Sequence, residues 1–419
     1  MKYLLIDPPF QRFMGFQKYG LPLGLLSIAA VLESQGHTVK VIDFDYNPTG
    51  EQFTFCEKAE RYDKYLQALT NAHPIWDEIG FTIKDFAPDI VGITVISPKV
   101  PSALRVAKIA RSCGSLVIFG GPHATLHPED LSGDGVFVVR GEGEFAIQQF
   151  MSGMISETQG DLSLPLLPLK NRNLLLNLHT YRRKDLGMII TSRGCPNNCA
   201  FCCSPKLWAR RVRRRTVQQV VMEIRHVISL GCNEIYFVDD NFTTNAKYLR
   251  ELCDVLKRLN VTWSCLVRAD TITEKSLQLM VDAGCTSVKM GIETGSPRML
   301  EYINKHETVD KFKQTAKLLS GLNIPWTAYL ITGFPTETQE DVNLTKHLIE
   351  EMKPTWVSVG VFTPYPGTEL FNRLDLDRLY WEHYNHHNIN SNVGSLSCYE
   401  MREMFQWADE YNKLCANKI

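Results

Sequence analysis

The stretch TSRGCPNNCAFCCSP, residues 191–205, places four cysteines within nine positions. Cys195, Cys199 and Cys202 have the spacing Cys-x3-Cys-x2-Cys, and Cys203 follows the third directly. Three thiolates at this spacing can surround one small inorganic core. Zinc sites more often use closely spaced cysteine pairs or histidines, and an electron-transfer cluster needs a fourth cysteine. The stretch therefore predicts a three-ligand metal centre, with structural zinc or core cysteines as the alternative.

The cysteine stretch follows the first strand of a βα series in the second half of the chain. Short apolar runs alternate there with segments of helical periodicity, which is typical of parallel strands joined by helices. Six such units indicate a partial (β/α)6 barrel related to the TIM barrel, with its functional face where the strands end. The predicted strands are 187–191, 234–240, 262–270, 287–293, 326–332 and 356–362.

The first 150 residues also alternate between strands and helices, and five apolar runs predict a parallel, doubly wound sheet. The runs are KYLLI, TVKVIDFD, DIVGITV, SLVIFGG and GVFVVRGEGE. We expect a first domain over 1–154, an extended linker over 155–186, the barrel over 187–370 and a short helical tail over 371–419. Residues 47–88 read as an extra helical segment between the second and third strands.

Composition narrows the function classes. The chain has 419 residues, twelve cysteines and a formal net charge of -1. A near-neutral chain is not typical of a nucleic-acid binder. No uncharged apolar run reaches 18 residues and no signal peptide is recognisable, so the expected compartment is the cytoplasm, without a membrane partner. In a reducing compartment a tight cysteine group indicates metal binding or catalysis.

With its partial barrel, the cysteine stretch resembles the signature of the radical S-adenosylmethionine (radical SAM) enzymes, including the aromatic Phe201 directly before Cys202, the last of the three ligands. The resemblance implies a 4Fe–4S cluster held by Cys195, Cys199 and Cys202, with S-adenosylmethionine on the open iron. It also implies reductive formation of a 5′-deoxyadenosyl radical, with the protein positioning and shielding the cofactor. Cys203 is left over, either as a packing residue or as a reactive thiol.

Polar residues at the following strand ends match the same resemblance. An ammonium group needs acceptors, a carboxylate suits an arginine, and a glycine lets backbone approach the adenine. The predicted S-adenosylmethionine-binding residues are Phe201, Asp239, Asp240, Asn241, Arg268, Glu293, Thr294 and Gly333.

The first domain resembles the flavodoxin-like (Rossmann-type) cobalamin-binding domain that precedes the barrel in one radical SAM subfamily. Its strand ends read DPP, GGPHAT and RGEGE. No histidine follows the first strand in DPPFQRFMG, so we expect cobalt without a histidine ligand and His123 as a positioning residue; the alternative is a domain that lost cobalamin. The predicted cobalamin-binding residues are Pro8, Pro9, Gly120, Gly121, His123, Gly141, Glu142 and Gly143. The related methylthiotransferases need a second set of three cysteines in the N-terminal domain. Only Cys56 and Cys113 precede Cys195, so this class is excluded.

Several smaller signals stay open. WARRVRRRT, residues 208–216, could contact a phosphate or carboxylate or form a solvated loop. His386 and His387 could touch substrate or metal or belong to a polar tail, and Tyr302 and Tyr365 could be proton donors or pocket walls.

The predicted function is that of a cobalamin-dependent radical SAM enzyme, a C-methyltransferase acting on an unactivated carbon through a 5′-deoxyadenosyl radical and methylcobalamin. The expected substrate is a small metabolite or natural-product intermediate, and the expected electron donor is an external protein of the flavodoxin or ferredoxin type. One alternative is a non-methylating cyclisation or rearrangement on the same architecture. A second is a non-catalytic iron–sulfur sensor, which would not need the run of cofactor-like strand ends.

Overall fold

A computed structural model describes residues 1–18, 20–70, 73–131, 133, 135–151, 167–374, 376, 380–391 and 393–417. The chain divides into two compact units. The first comprises Met1–Gln52, Arg61–Leu186 and Asp375–Tyr384; the second comprises Phe53–Glu60, Gly187–Leu374 and Asn385–Ile419.

The first unit is built on a five-stranded parallel sheet. Its strands are β1 (Lys2–Asp7), β2 (Thr38–Asp43), β3 (Ile90–Thr94), β4 (Leu116–Gly120) and β5 (Val136–Val138). Their order is β2-β1-β3-β4-β5, the flavodoxin-like order, in which ligands bind at the carboxyl ends of β1 and β3. Tyr3, Leu4 and Ile6 of β1 are fully buried because both faces of a parallel sheet are covered. The predicted doubly wound fold is confirmed.

Seven α-helices occur in the described part of the first 151 residues. They are α1 (Leu23–Ser34), α2 (Phe55–Glu60), α3 (Tyr62–Ala68), α4 (Ile75–Phe86), α5 (Val100–Ser112), α6 (Pro122–Leu126) and α7 (Gly143–Met151). The predicted helical segment between β2 and β3 therefore forms α2, α3 and α4. Of these, α2 belongs to the second unit.

The predicted linker lies partly outside the described residues. Residues 167–186 belong to the first unit, where the backbone of Leu175 pairs with Val41. The hydroxyl of Tyr181 donates to Asp43 at 2.7 Å, and the rings of Tyr181 and Tyr46 stack at 3.8 Å. This part is a packed extension of the sheet, while the boundaries at 154 and 186 stay a prediction.

The described residues of the second unit form eight strands. They are β6 (Met188–Ile189), β7 (Ser192–Arg193), β8 (Arg213–Arg214), β9 (Glu234–Phe237), β10 (Thr262–Val267), β11 (Cys285–Glu293), β12 (Trp326–Thr332) and β13 (Trp356–Val361). Six of them form a parallel sheet in the order β13-β12-β11-β10-β9-β6, and β7 pairs with β8 antiparallel. The six strands agree with the predicted partial (β/α)6 barrel.

Nine further helices follow among the described residues. They are α8 (Ser204–Trp208), α9 (Val217–Ser229), α10 (Ala246–Leu259), α11 (Glu274–Asp282), α12 (Pro297–Tyr302), α13 (Val309–Gly321), α14 (Gln339–Met352), α15 (Glu369–Arg373) and α16 (Cys398–Ala416). Side-chain oxygens of Thr216, Asn245 and Thr338 cap α9, α10 and α14. Among the described residues, no helix has both the length and the apolar character needed to cross a bilayer.

The C-terminal helix α16 covers the edge of the second sheet. The side-chain amide of Asn412 accepts from the N–H of Val357 and donates to its carbonyl, both at 2.8 Å. An edge strand otherwise exposes such backbone groups. The predicted helical tail therefore completes the sheet.

Candidate functional site

The cysteine loop lies between β7 and α8, and three of its sulfurs accept hydrogen bonds. Each contact has its own donor: Asn197 Nδ2 to Cys195 Sγ at 3.3 Å, Arg268 Nη1 to Cys199 Sγ at 3.6 Å, and Ser204 N to Cys202 Sγ at 3.4 Å. Donors aimed at sulfur stabilise thiolates and tune a cluster that they ligate. The loop is therefore arranged for three thiolates.

Cys203 has the opposite role, because its Sγ donates to the Pro366 carbonyl oxygen at 3.8 Å. Burial raises the pKa of Cys203 to about 12, so it stays a thiol. Burial also raises the pKa of Cys202 to about 12. A thiolate at Cys202 therefore needs a bound metal, which deprotonates a coordinating thiol outright.

The sulfur separations distinguish a cluster from a single zinc ion. A tetrahedral zinc site with Zn–S bonds of about 2.3 Å needs sulfurs about 3.8 Å apart. Among the described residues, the one group of three metal-ligating atoms within 4.8 Å of one another is His123, His127 and Asp130, so at least one pair of the three cysteine sulfurs is more than 4.8 Å apart. A separation above 4.8 Å is wider than the edge of a tetrahedral zinc site.

Asp239 and Asp240, predicted at the end of β9, hold the cysteine loop. Thr191 and Ser192 each donate a backbone N–H and a hydroxyl to Asp239, at 2.5–3.1 Å. Asp240 accepts from Gly194 N at 3.1 Å and from the Ser204 hydroxyl at 2.9 Å. The two carboxylates thus fix the start of the loop and join its two ends. Their predicted contact with S-adenosylmethionine stays a prediction.

Asn241 is the neighbour with unused hydrogen-bonding capacity. Its Oδ1 accepts from the N–H and hydroxyl of Thr243 at 3.3 and 3.2 Å. Its buried Nδ2 has no hydrogen-bond partner within the described chain. Because an unsatisfied buried donor costs free energy, this amide fits a ligand with an acceptor oxygen.

Most of the guanidinium nitrogens of Arg268 already donate hydrogen bonds within the second unit. Its Nε and Nη2 donate to Asp270 at 2.9–3.3 Å, and Nη2 also donates to the Lys305 carbonyl at 2.9 Å. Only Nη1 is directed at the cysteine loop, through Cys199. The structure thus does not present a free fork for a bidentate carboxylate contact.

Lys305 is a buried member of this site that the sequence analysis missed. Its Nζ lies 2.9 Å from Glu293 and 3.4 Å from Glu307, and Arg268 lies 3.2 Å from Glu307. Burial alone would lower the pKa of Lys305, but the two carboxylates outweigh it and raise that pKa. Lys305 follows helix α12, so a reading confined to strand ends could not find it.

Glu293 ends β11 with a left-handed φ of 65°. Such a conformation is uncommon for a residue other than glycine and concentrates at functional sites. A Cβ on Gly291 would lie 2.4 Å from the Glu293 carboxylate and 3.1 Å from Lys305 Nζ. A side chain at position 291 would therefore press on the Glu293–Lys305 pair.

The remaining predicted S-adenosylmethionine residues occupy different environments. Thr294 is fully buried, 3.2 Å from the Thr345 hydroxyl, so it serves the core. Gly333 has a φ of 85° and donates its N–H to Glu337 at 2.5 Å. Phe201 packs edge-on against Phe334 at 6.1 Å, within an apolar cluster. Of these three, Thr294 and Gly333 directly follow the ends of β11 and β12, and Phe201 lies in the cysteine loop.

The arginine-rich segment has structural roles at several positions. Arg215 is buried, 2.5 Å from Glu223, and Arg214 donates to the Thr244 hydroxyl at 2.6 Å. Arg193 and Arg213 lie 5.8 and 5.5 Å from the Trp208 ring. These contacts hold the antiparallel pair β7–β8 that carries the cysteine loop.

The other open residues lie close to the second sheet. Val361 N donates to the His386 carbonyl at 2.7 Å, so the tail continues beside β13, and the His386 and His387 rings are 4.1 Å apart. Tyr302 packs against the apolar cluster, with Arg373 5.8 Å from its ring. Burial raises the pKa of Tyr365 well above its usual range, which disfavours it as a proton donor.

In the first unit, the carboxyl ends of β1 and β2 carry a buried ion network that the sequence analysis missed. Lys18 Nζ lies 2.6 Å from Asp7 and 2.8 Å from Asp43. Lys99 Nζ lies 2.5 Å from Asp7 and 3.0 Å from Asp45. The strand-end rule applied to VIDFD would have found Asp43 and Asp45. The two lysines have no such signal.

The predicted cobalamin-binding glycines differ in what surrounds them. A Cβ on Gly120 would meet nothing within 4 Å, whereas one on Gly121 would meet Thr94 and Val95 at 3.0 Å, and one on Gly143 would meet Ile28 at 2.7 Å. Gly141 has a φ of 80°, and its N–H donates to the Thr125 hydroxyl at 3.0 Å. Gly120 thus faces space that a bulky ligand can fill, while Gly121 and Gly143 serve close packing.

Pro8, Pro9, Glu142 and His123 are buried. His123 is held by Ser97 at 3.0 Å and Asp130 at 3.2 Å, through its two ring nitrogens. Both contacts lie within the first unit and fix the orientation of the ring, while its predicted positioning role in the cobalamin site stays a prediction.

Comparison with known proteins agrees with these observations. The profile of the radical SAM superfamily matches residues 189–349, and that of the B12 binding domain matches residues 16–150. An uncharacterized methyltransferase of Pyrococcus horikoshii is 32% identical over 406 residues, covering 88% of this chain and 82% of the relative. Cytidylyl-2-hydroxyethylphosphonate methyltransferase of Streptomyces wedmorensis is 26% identical, with 88% and 80% covered.

Two solved structures share the fold. The radical S-adenosylmethionine methyltransferase TsrM from Kitasatospora setae, with cobalamin and a [4Fe-4S] cluster bound, matches with a TM-score of 0.66 at 17% identity, over 88% of this chain and 73% of that one. The cobalamin-dependent S-adenosylmethionine radical enzyme OxsB, with aqua-cobalamin and S-adenosylmethionine bound, matches with a TM-score of 0.65 at 16% identity, over 98% and 61%.

The fold and the cysteine loop thus define a radical SAM enzyme with an N-terminal B12 binding domain. The chain belongs to this family of radical SAM methyltransferases, whose cofactors are a 4Fe–4S cluster, S-adenosylmethionine and cobalamin. The predicted family, fold class and cofactors are confirmed.

Proposed function

We propose that this enzyme methylates an unactivated carbon of a small metabolite or natural-product intermediate. The observation that carries the proposal is that three of the four loop sulfurs accept N–H donors while the fourth donates. Three thiolates on a four-iron core leave one iron open to S-adenosylmethionine. When bound, the cluster with S-adenosylmethionine supplies a hydrogen-abstracting radical, and cobalamin supplies the methyl group.

The residues of the chain hold and shield this chemistry. Cys195, Cys199 and Cys202 ligate the cluster, and Asp239 and Asp240 fix their loop. A rigid loop keeps reacting atoms at a constant separation, which is how an enzyme uses positioning. The Arg268 contact with Cys199 stabilises negative charge on that sulfur.

We assign the S-adenosylmethionine contacts to groups that can still form hydrogen bonds or admit the cofactor closely. The orphan Nδ2 of Asn241 donates to an acceptor oxygen of the cofactor. Glu293, held by Lys305, accepts from a ribose hydroxyl, and the turn at Gly333 lets backbone approach the adenine. Phe201 and Phe334 form an apolar wall. This wall helps to exclude water from the site, as a radical intermediate requires.

In the first unit, the turn at Gly120 gives cobalamin its space. Pro8, Pro9, Gly141 and Glu142 border the same strand ends and complete the proposed site. We expect His123, which contacts Ser97 and Asp130 within its own unit, to position the site without ligating cobalt.

The two relatives described above favour methylation over a cyclisation or rearrangement, since both are named methyltransferases. Only the second name states a substrate, a nucleotide-linked phosphonate, and at 26% identity we do not assign that substrate here. We propose a flavodoxin- or ferredoxin-type electron donor and a cytoplasmic location.

The proposal is tested by paired quantitation of iron, corrin and 5′-deoxyadenosine in protein produced anaerobically with cobalamin. We expect about four iron atoms and about one corrin per chain, with 5′-deoxyadenosine formed on reduction. A control with Cys195, Cys199 and Cys202 all changed to alanine should lose the iron and the product. A wild-type protein with full iron that binds no corrin would contradict the proposal.

A further inference from the structure

Three metal-ligating side chains converge in the first unit. His123 lies on α6, His127 follows that helix directly, and Asp130 lies in the 3-10 turn Pro128–Leu131. One ligand atom from each lies within 4.8 Å of the others. Asp130 Oδ2 is 3.2 Å from His123 Nε2 and 2.9 Å from His127 Nδ1. These separations are close to the ligand–ligand edge of a tetrahedral zinc site, about 3.3 Å.

His127 has a buried nitrogen that the surrounding protein does not satisfy. Its Nδ1 lies near Asp130 and 3.1 Å from Glu129 Oε1, yet it makes no hydrogen bond of acceptable geometry within the described chain. A buried polar atom left in this state costs free energy. A cation between the nitrogen and the two carboxylates would satisfy all three.

The groups around the histidines support a metal ligand. Ser97 Oγ lies 3.0 Å from His123 Nδ1 and can hold the proton there, so that Nε2 keeps its lone pair. The Trp381 ring covers both histidines, at 4.8 and 5.0 Å.

We propose that His123, His127 and Asp130 bind one divalent metal ion of the zinc type, with Glu129 at the fourth position. Two nitrogens and two carboxylate oxygens are a ligand set that zinc accepts. All four ligands come from the first unit, and none belongs to the cysteine loop.

The expected role of the ion is structural. It fixes α6, whose Thr125 hydroxyl accepts from Gly141 N at 3.0 Å, and α6 begins directly after Gly121. Both glycine turns are thereby held by one small helix. The ion takes no part in the radical reaction.

The test is zinc quantitation by mass spectrometry, which separates zinc from cluster iron and corrin cobalt. Protein is equilibrated with zinc chloride and passed through a desalting column. We expect about one zinc per chain, both in the holoenzyme and in the variant with Cys195, Cys199 and Cys202 changed to alanine. The triple variant excludes zinc bound by the three cysteines of the cluster loop.

Three variants of the triple-alanine protein locate the site. His127→Gln should lose the zinc, and His127→Cys should keep it because a thiolate is an equivalent ligand. The matched control His179→Gln, at an exposed histidine of the same unit, should bind zinc like its parent. Zinc should raise the melting temperature of the control and leave that of His127→Gln unchanged. Less than about a tenth of an equivalent in the triple-alanine parent, or equal zinc in His127→Gln and His179→Gln, would overturn the proposal.

Discussion

At the scale of the residue, Cys202 and Cys203 are neighbours with opposite hydrogen-bonding roles. Cys202 Sγ accepts from Ser204 N, whereas Cys203 Sγ donates to the Pro366 carbonyl. We predict that Cys202→Ala abolishes iron loading and that Cys203→Ala keeps it, because only the first removes a ligand. Iron per chain after anaerobic reconstitution is the measurement. Loss of iron in Cys203→Ala with retention in Cys202→Ala would shift the ligand assignment by one residue.

Lys305 carries a second prediction at this scale. Lys305→Met leaves Glu293 and Glu307 without their shared cation in a buried site, and breaking a buried ion pair costs about 3–5 kcal/mol. We expect a loss of that order in the free energy of unfolding of the second unit, measured by urea denaturation. Lys313→Met is the control, because Lys313 is only half-buried and pairs with the exposed Glu351, so its loss should change stability little. Equal losses in both variants would contradict this account of Lys305.

At this scale, the sequence predicted which residues lie at the site better than it predicted what each of them contacts. The rule that parallel strands end at a functional face selected Asp239, Asn241 and Glu293. It could not indicate that Asp239 is fully used in holding Thr191 and Ser192, because that depends on a contact between residues 47 or 48 positions apart. Lys305 was missed because it enters the site from the end of a helix.

At the scale of the element, the turn after β12 is closed by one buried carboxylate. Glu337 accepts from Gly333 N and the Thr332 hydroxyl at 2.5 and 3.1 Å. Burial nevertheless raises the pKa of Glu337 to about 7. The folded state therefore holds a proton that the unfolded chain releases near its ordinary value of 4.5.

The sign of the pH dependence follows from that difference. A carboxyl group whose pKa is raised in the folded state contributes fully to the stability of that state at a pH below its pKa in the unfolded chain. For Glu337 this contribution is lost as the pH rises through about 7. We predict that the melting temperature of the wild type falls more steeply from about pH 5 to pH 8 than that of Glu337→Gln, which cannot titrate. Parallel slopes for the two proteins would show that Glu337 does not hold the proton.

Most elements were predictable because their periodicity is long and regular. The six parallel strands of the second unit and the helices between them follow the predicted order. The strands β7 and β8 have two residues each, too few for any period, and they exist because Ser192 and Arg193 pair with Arg214 and Arg213. The predicted linker reads as irregular because its described part packs through side chains such as Tyr181.

At the scale of the whole molecule, the enzyme needs both cofactors, and the two units can be perturbed separately. Gly120 is the position at which to perturb the first unit, because a Cβ there would have no atom within 4 Å. A Cβ on Gly121 would instead press on Thr94 and Val95 at the end of β3. We predict that Gly120→Trp keeps full iron and still yields 5′-deoxyadenosine, but loses corrin and methylated product. The control is Gly321→Trp, at the end of α13, where an added Cβ also meets open space. This variant should keep its iron and corrin and should still form 5′-deoxyadenosine and methylated product. A Gly120→Trp protein that binds corrin normally would remove Gly120 from the cobalamin site.

Long-range charge networks are the part of the molecule that the sequence could not predict. The network of Asp7, Lys18, Asp43, Asp45 and Lys99 joins segments up to 92 residues apart. Local patterns contain no information on such pairing, which follows from the strand order β2-β1-β3. The cysteine loop, in contrast, is local in sequence and could be interpreted without the fold.

The central claim is that the enzyme moves a methyl group from S-adenosylmethionine to carbon. The most direct measurement uses S-adenosylmethionine with a deuterated methyl group, the reduced holoenzyme and an anaerobic small-metabolite extract, with mass spectrometry of every labelled compound. We predict a metabolite that gains one labelled methyl group with wild-type enzyme and gains none with Cys199→Ala or Gly120→Trp. Formation of 5′-deoxyadenosine together with a changed but unlabelled metabolite would contradict the claim and establish a non-methylating reaction.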